Sequence, residues 1–248
     1  MQSLLPAGNR NFFINRYFFY FCRLKCNQHT NVKNTMDNDL FESISQRGSV
    51  EEIAENRRII EIADGLRRSC QIYEAELRSR QENVSRFEIE QRAAERYAKE
   101  SGIWIPLRDI ANLGAPGPSG NENDLYVSND IIYKVNNLLN SGSILQLLKR
   151  LIWHNHLFYE TAYTFFGFTG FDGRTVMPVM QQKLIKNAIP ASSVEIDTYM
   201  AAIGFIKKDA QGRFENQNYE VWDLLPRNVL KDAEGDIYII DAEINRKN

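Results

Sequence analysis

Three pairs of short apolar segments, each joined by a tight polar turn, restrict the fold of this 248-residue chain more than any other feature. The turns are Ser128-Asn129-Asp130, Asp172-Gly173 and Glu234-Gly235. Because Gly, Asn and Asp reverse the chain easily, each pair predicts an antiparallel β-hairpin, whereas parallel strands would need long crossovers. Two amphipathic segments, 141–158 and 192–208, separate the pairs and predict helices that begin at serine caps. This order predicts an α+β fold instead of a doubly wound parallel sheet.

A stretch rich in Glu, Arg, Gln and Ala, 49–101, precedes the hairpins. Its apolar residues recur at helical spacing; they are Ile53, Ile60, Ala63, Cys70, Tyr73 and Leu77. Gly65 argues against one unbroken helix, Asn83-Val84-Ser85 predicts a break, and Gly102 predicts the end of the helical region. We therefore expect a charged helical region over 36–101 and a compact domain over 102–248.

The first 35 residues differ from the rest in composition. Their aromatic run, "NFFINRYFFYFCRLK", contains only about ten apolar residues and is interrupted by Asn15 and Arg16, so it is too short for a membrane-spanning helix of ~20 residues. We expect 1–35 to be a disordered or misassigned leader, with translation starting at Met36, and we expect no membrane span.

Charge and cysteine content narrow the functional classes. A net charge of −2 lacks the basic excess of a nucleic-acid-binding domain, so we expect no nucleic-acid partner. The three cysteines form no disulfide framework, and Cys22 and Cys26 lack the second pair of a zinc site, which together predict a reducing, cytoplasmic location. His154-Asn155-His156 does not predict a nuclease centre, because consecutive helical residues point in different directions; one imidazole bonded to a loop backbone is expected instead.

The segment "YEVWDLLPRNVLKDAEGDIYIIDAEI", residues 219–244, carries the strongest chemical signal. Pro226 disfavours regular structure, so we expect Asp223 and Asn228 to share one loop. If the strands on either side of the third turn pair, Asn228 comes to lie beside Asp241. An amide oxygen beside a carboxylate suits Mg²⁺, which binds hard oxygen donors together with water and phosphate.

The spacing of these residues also suggests a relationship. Asn228 follows Asp223 by five residues and Asp241 follows Asn228 by thirteen, and this resembles the catalytic and metal-binding loops of the protein-kinase-like fold. Further patterns are Gly120-x-Glu122-Asn123-x-x-Tyr126, Tyr133-Lys134-Val135, His154-Asn155-x-Leu157-Phe158 and Asp223-x-x-Pro226-x-Asn228-Val229. Together they are similar to the small Ser/Thr/Tyr-kinase-like domain found in polyvalent proteins of phages and conjugative elements. The resemblance covers about residues 90–245.

The resemblance implies a fold and a reaction. The fold would be a minimal kinase-like domain, with an antiparallel N-lobe sheet and a reduced C-lobe, preceded by the charged helical region. The reaction would be an ATP- and Mg²⁺-dependent transfer of the γ-phosphoryl group to a hydroxyl acceptor on a protein or small molecule. Asp223 would accept the proton of the attacking hydroxyl, while Asn228 and Asp241 would bind Mg²⁺ against the β- and γ-phosphates.

The same resemblance implies how the nucleotide would be bound. Lys134 would contact the α- and β-phosphates. Backbone N–H groups near Gly117 to Gly120 would cover the nucleotide, and Gln181, in the linker between the lobes, would line the adenine pocket.

Departures from typical protein kinases leave a second hypothesis open. There is no G-x-G-x-x-G motif, and Val221-Trp222 and Ala242-Glu243 stand where His-Arg and Phe-Gly are usual. The helix after Lys134 contains no acidic residue to pair with it, so Gln146 or Glu160 would have to substitute. The alternative is a non-catalytic, nucleotide-binding pseudokinase or interaction module of a mobile element. A third hypothesis, a helical adaptor with an inert domain, predicts no nucleotide binding.

Overall fold

The computed structural model describes residues 54–171 and 175–247. The α-helices are α1 (Ala54–Ser79), α2 (Arg86–Glu100), α3 (Ile144–Leu157) and α4 (Ser193–Ala202). The strands are β1 (Ala115–Pro116), β2 (Asn123–Ser128), β3 (Ile131–Asn136), β4 (Thr164–Phe171), β5 (Thr175–Lys183), β6 (Ile189–Pro190), β7 (Ile206–Lys207), β8 (Phe214–Glu215), β9 (Tyr219–Trp222), β10 (Val229–Lys231), β11 (Ile237–Ile239) and β12 (Glu243–Arg246). Short 3-10 helices cover Leu107–Leu113 and Tyr159–Thr161. The expected leader, 1–35, and the Asp172-Gly173 turn lie outside the described residues.

The strands form three sheets in which every pairing is antiparallel. Their strand orders are β1-β2-β3-β5-β4, β11-β10-β6 and β12-β9-β8-β7. The expected hairpins are present as β2–β3, β4–β5 and β10–β11, and Asn129 adopts a left-handed φ of 53° in the first turn. The α+β fold expected from the sequence is therefore confirmed.

Helices α1 and α2 pack together, and both contact the five-stranded sheet. Helix α1 continues through Gly65, where an added Cβ would lie 2.5 Å from the ring of Tyr97 on α2. The glycine therefore makes room for that ring instead of breaking the helix. Of the apolar residues expected on α1, those buried are Ile60, Ala63, Cys70 and Leu77. The predicted break is present, and Ser85 caps α2 by accepting a hydrogen bond from Glu88 N–H.

The first turn of α3 is held by α2. The buried carboxylate of Glu90 accepts hydrogen bonds from the N–H groups of Ile144 (2.9 Å) and Leu145 (3.1 Å). These N–H groups have no partner inside the helix, and the positive end of the helix dipole favours a carboxylate there. Ser143, one of the two expected caps, accepts from Gln146 N–H. The division of the chain at residue 101 stays a prediction, since α2 and α3 share this buried contact.

The last turn of α3 is joined to β4. The imidazole Nε2 of His154 lies 3.2 Å from the carbonyl oxygen of Thr161, as expected for a histidine bonded to a loop backbone. Asn155 donates to the carbonyl of Tyr163 (2.9 Å) and accepts from its N–H (2.7 Å). The His-Asn pair thus fixes where β4 begins. None of the described helices is both long and apolar enough to cross a membrane.

Candidate active site

The hairpin β10–β11 places Asn228 opposite Ile240, the residue before Asp241, at its open end. Val229 pairs with Ile239, and the N–H of Ile240 donates to the carbonyl of Asn228 at 3.0 Å. This is the pairing expected from the sequence, because the apolar segments and the Glu234-Gly235 turn determine the register locally. Asp241 follows directly after the last of these bonds.

Asp223 lies on a loop that is braced on both sides. Its φ is 61°, and the side-chain amide of Asn228 donates both to its carbonyl oxygen and to its Oδ2, each at 2.8 Å. Arg227 donates to Oδ1. The next residue, Leu224, donates its N–H to the carbonyl of Gly212 at 3.1 Å. The carboxylate of Asp223 is therefore held in one orientation by a donor on each oxygen.

Lys134 connects the five-stranded sheet to this hairpin. It is buried on β3, and its Nζ donates to Tyr163 Oη (2.9 Å) and to the carbonyl of Ile240 (2.8 Å). The hydroxyl of Tyr163 donates to the same carbonyl at 2.8 Å. Burial lowers the pKa of Lys134 below its ordinary value, while the charge of Asp241 opposes that shift. Across the described ranges Lys134 has no carboxylate within ion-pair distance, so neutral oxygens hold its ammonium group.

A small cavity that is partly open to solvent lies between these elements. Its lining is Asn123, Lys134, Asn136, Leu147, Arg150, Leu151, His154, Tyr163, Met180, Asp241 and Ala242. Lys134 and Arg150 supply positive charge and Asp241 supplies negative charge. His154 contributes a neutral ring, since burial lowers its pKa to about 3.

Two residues of the site offer oxygen to a metal ion. The amide nitrogen of Asn228 is fixed on Asp223, which leaves its Oδ1 directed elsewhere. The half-buried carboxylate of Asp241 accepts no hydrogen bond from the part of the chain that the structure describes. This donor set fits Mg²⁺, which takes one or two protein oxygens and completes its shell with water and phosphate. Residues 54–171 and 175–247 contain no group of three or more His, Cys, Asp or Glu side chains placed to hold a metal.

A family model described as "Serine/Threonine/Tyrosine Kinase found in polyvalent proteins" matches residues 88–248, more than half of the chain. The chain belongs to this family. The resemblance seen in the sequence is thereby confirmed, and the match includes every residue of the candidate site. A search of curated proteins found no match.

Within this kinase-family domain, Arg150 on α3 pairs with Glu122 from the loop before β2. Its Nη2 lies 3.0 Å from both carboxylate oxygens of Glu122. Gln146 and Glu160, which were expected to substitute for the missing acid, are both exposed. The helix therefore offers Lys134 no acidic partner.

Glu243 adds a further carboxylate near the site. It pairs with Trp222 across β12 and β9, and Arg150 Nη1 lies 3.8 Å from its Oε1. Burial raises the pKa of Glu243, Arg150 lowers it, and the charges of neighbouring carboxylates, Asp223 and Asp241 among them, raise it further.

Of the expected site residues, Lys134 and Asp241 line the cavity. The other expected residues lie outside its lining; they are Gly117, Gly120, Gln181, Asp223 and Asn228. The N–H groups of Gly117 and Gly120 donate to the carbonyls of Leu125 (2.8 Å) and Asn123 (3.0 Å), so covering a phosphate would require these bonds to open. Gln181 pairs with Tyr133, whereas Met180 pairs with Lys134 and lines the cavity. The roles of these residues stay predictions.

Three side-chain contacts around the site were not predicted from the sequence. Tyr163 bonds Lys134, Arg150 bonds Glu122, and the Thr161 hydroxyl donates to the carbonyl of Ile239 at 2.6 Å. A sequence signal existed only for Arg150, because it is a cation within the apolar stripe of α3.

Proposed function

We propose that this kinase-family protein is an ATP- and Mg²⁺-dependent phosphotransferase. One observation supports this most: Lys134, from the five-stranded sheet, and Asp241, after a hairpin of another sheet, face one cavity, with Asn228 opposite the residue before Asp241. Family membership supports a kinase-like function for this arrangement. In this proposal the five-stranded sheet and α3 form the N-lobe, and the remaining strands with α4 form a reduced C-lobe.

Each residue has a distinct role in the proposed reaction. Lys134 contacts the α- and β-phosphates, while Asn228 and Asp241 hold Mg²⁺. When bound, Mg²⁺ neutralises charge on the β- and γ-phosphates. Asp223 accepts the proton of the attacking hydroxyl, a contribution typically worth ~10²–10⁴-fold in rate.

The acceptor, the partners and the location belong to the same proposal. The acceptor carries a hydroxyl group and is a protein or a small molecule. Nucleic acid is not a partner, because the chain has a net charge of −2. The protein acts in the cytoplasm as part of a mobile element.

Thermal unfolding with ATP tests the nucleotide site. We expect ATP with Mg²⁺, at about 100 times Kd, to stabilise the wild type by about 2.7 kcal/mol, and ATP with EDTA to have a much smaller effect. Asp241→Ala should lose the part of this stabilisation that depends on Mg²⁺. Asp236→Ala, which removes an exposed carboxylate from the turn of the same hairpin, is the matched control and should keep it. No metal-dependent shift in the wild type would contradict the proposal.

A non-catalytic nucleotide-binding module is the second candidate, and the geometry of Asp223 favours it. Both carboxylate oxygens of Asp223 already accept hydrogen bonds, from Arg227 and Asn228, which leaves less room for a substrate hydroxyl. This candidate predicts a thermal shift with ATP and Mg²⁺ but no ATP turnover. The phosphotransferase predicts turnover that falls at least ~100-fold in Asp223→Asn.

A further inference from the structure

Helix α3 presents a cation to the cavity. Arg150 lies on the same face of the helix as Leu147 and His154, and only 12% of its side chain is exposed. It lines the cavity together with Lys134. Two cations from different elements therefore face one small space with Asp241, and the repulsion between them favours a further anion there.

Glu122 is the anion that Arg150 holds in this structure. Its side chain is 7% exposed, and both of its oxygens lie 3.0 Å from Arg150 Nη2. Asn140 and the hydroxyl of Ser141 each donate to it at 3.2 Å. The carboxylate therefore receives donors from three side chains, in the manner of a bound oxyanion. It also follows the Gly117–Gly120 loop directly in the chain.

Arg150 keeps binding capacity beyond this contact. Only Nη2 is within hydrogen-bond distance of Glu122, and Nη1 is 3.8 Å from Glu243, which is too long for a hydrogen bond. A guanidinium group has five N–H donors in a planar fork that fits carboxylate and phosphate equally well. Arg150 can therefore exchange one oxyanion for the other without moving its helix.

Resting on the proposed function, we propose that Arg150 binds a phosphate group of the nucleotide and that Glu122 occupies Arg150 until that phosphate displaces it. Glu122 is thus an internal competitor of the nucleotide. A polyphosphate entering the cavity meets the negative charges of Glu122 and Asp241, so removal of the Glu122 charge favours its entry.

Isothermal titration with MgATP and with adenosine tests this inference on the full chain. Glu122→Gln keeps the shape of the side chain but removes its charge, and we expect its Kd for MgATP to be about tenfold lower than that of the wild type, the value of one charge-assisted hydrogen bond. Adding Arg150→Gln to this variant removes the phosphate ligand without leaving Glu122 charged and unpaired. The double variant should bind MgATP at least about tenfold more weakly than Glu122→Gln.

Adenosine distinguishes phosphate binding from general damage, since it carries no phosphate. Its Kd should be the same in all three proteins. An unchanged or higher Kd of Glu122→Gln for MgATP, while the wild type binds MgATP, would overturn this inference and leave the proposed function intact. Equal weakening of adenosine and MgATP in the double variant would also overturn it. If none of the three proteins binds MgATP, both the inference and the proposed function are wrong.

Discussion

Replacing Lys134 with methionine separates a functional role from a structural one. Lys134 is buried, and its ammonium group is bonded to Tyr163 Oη and the Ile240 carbonyl instead of a carboxylate. Burial lowers its pKa, which means that the folded protein disfavours the charge. Burial of the charge therefore lowers the stability of the folded protein, which favours a functional role for Lys134.

The structure allows the energetic balance to be worked out. Removal of the ammonium group forfeits two hydrogen bonds, but no polar group is left unpaired, because the Tyr163 hydroxyl still donates to the Ile240 carbonyl at 2.8 Å. Desolvation of a buried charge costs several kcal/mol, more than such bonds usually return. The attraction between Asp241 and the ammonium group is lost as well, and this partly offsets the stability gained by removing a buried charge. We therefore expect Lys134→Met to raise the free energy of unfolding by about 1–2 kcal/mol, or Tm by roughly 2–8 °C.

Urea and thermal unfolding at pH 7 without nucleotide measure this change. Lys183→Met, on an exposed position of β5, is the matched control and should change stability by less than about 0.5 kcal/mol. With saturating MgATP the wild type should be more stable than Lys134→Met, because only the wild type is stabilised by the bound ligand. A loss of about 2 kcal/mol or more in Lys134→Met without nucleotide would refute the reasoning and make Lys134 a structural anchor.

Three further predictions concern the framework of the site. Gly212 has a φ of +77°, and Gly212→Ala would place a Cβ 2.5 Å from the carbonyl oxygen of Leu224, next to Asp223; it should lower the free energy of unfolding in urea by about 2–3 kcal/mol. Gly204 has a similar φ of +84° but no atom within 4 Å of an added Cβ, so Gly204→Ala should lower it by only about 1 kcal/mol. Burial lowers the pKa of His154 to about 3, against 6.5 in the unfolded chain, so the unfolded chain binds more protons between these two pH values. The free energy of unfolding should therefore fall by about 1.4 kcal/mol for each pH unit below 6.5. Denaturant titrations at pH 6 and pH 5 should show a smaller fall in His154→Gln than in the wild type. Glu90→Gln should lower stability by about 1–3 kcal/mol, because it removes the charge that caps α3, and circular dichroism melts would contradict this if Tm did not fall.

Local patterns made the hairpins, and the register that places Asn228 opposite Ile240, predictable from the sequence. Each hairpin combines a turn signal with short apolar flanks, so its register depends on residues within about a dozen positions. The serine caps of α3 and α4 are equally local, and Ser192 with Glu195 forms a complete capping box.

Contacts between distant segments were not predictable. Strands β9 and β12 pair although Trp222 and Glu243 are far apart in sequence, and no short turn connects the two strands to indicate that they pair. The contact between Arg150 and Glu122 also joins two elements that are distant in sequence. The partners of Lys134 are a tyrosine hydroxyl and a backbone carbonyl, which a search of the sequence for acidic residues does not find. Such partners become visible only when the chain is folded.

Production of ADP from ATP by the purified full chain, with water or a hydroxyl group of the chain itself as the phosphoryl acceptor, tests the central claim most directly. The phosphotransferase proposal predicts turnover in the wild type with Mg²⁺, none with EDTA, a loss of at least ~100-fold in Asp223→Asn and a comparable loss in Asp241→Asn, with Asp236→Asn unchanged. MgATP binding without ADP formation in the wild type, or turnover that survives in Asp241→Asn, would contradict it.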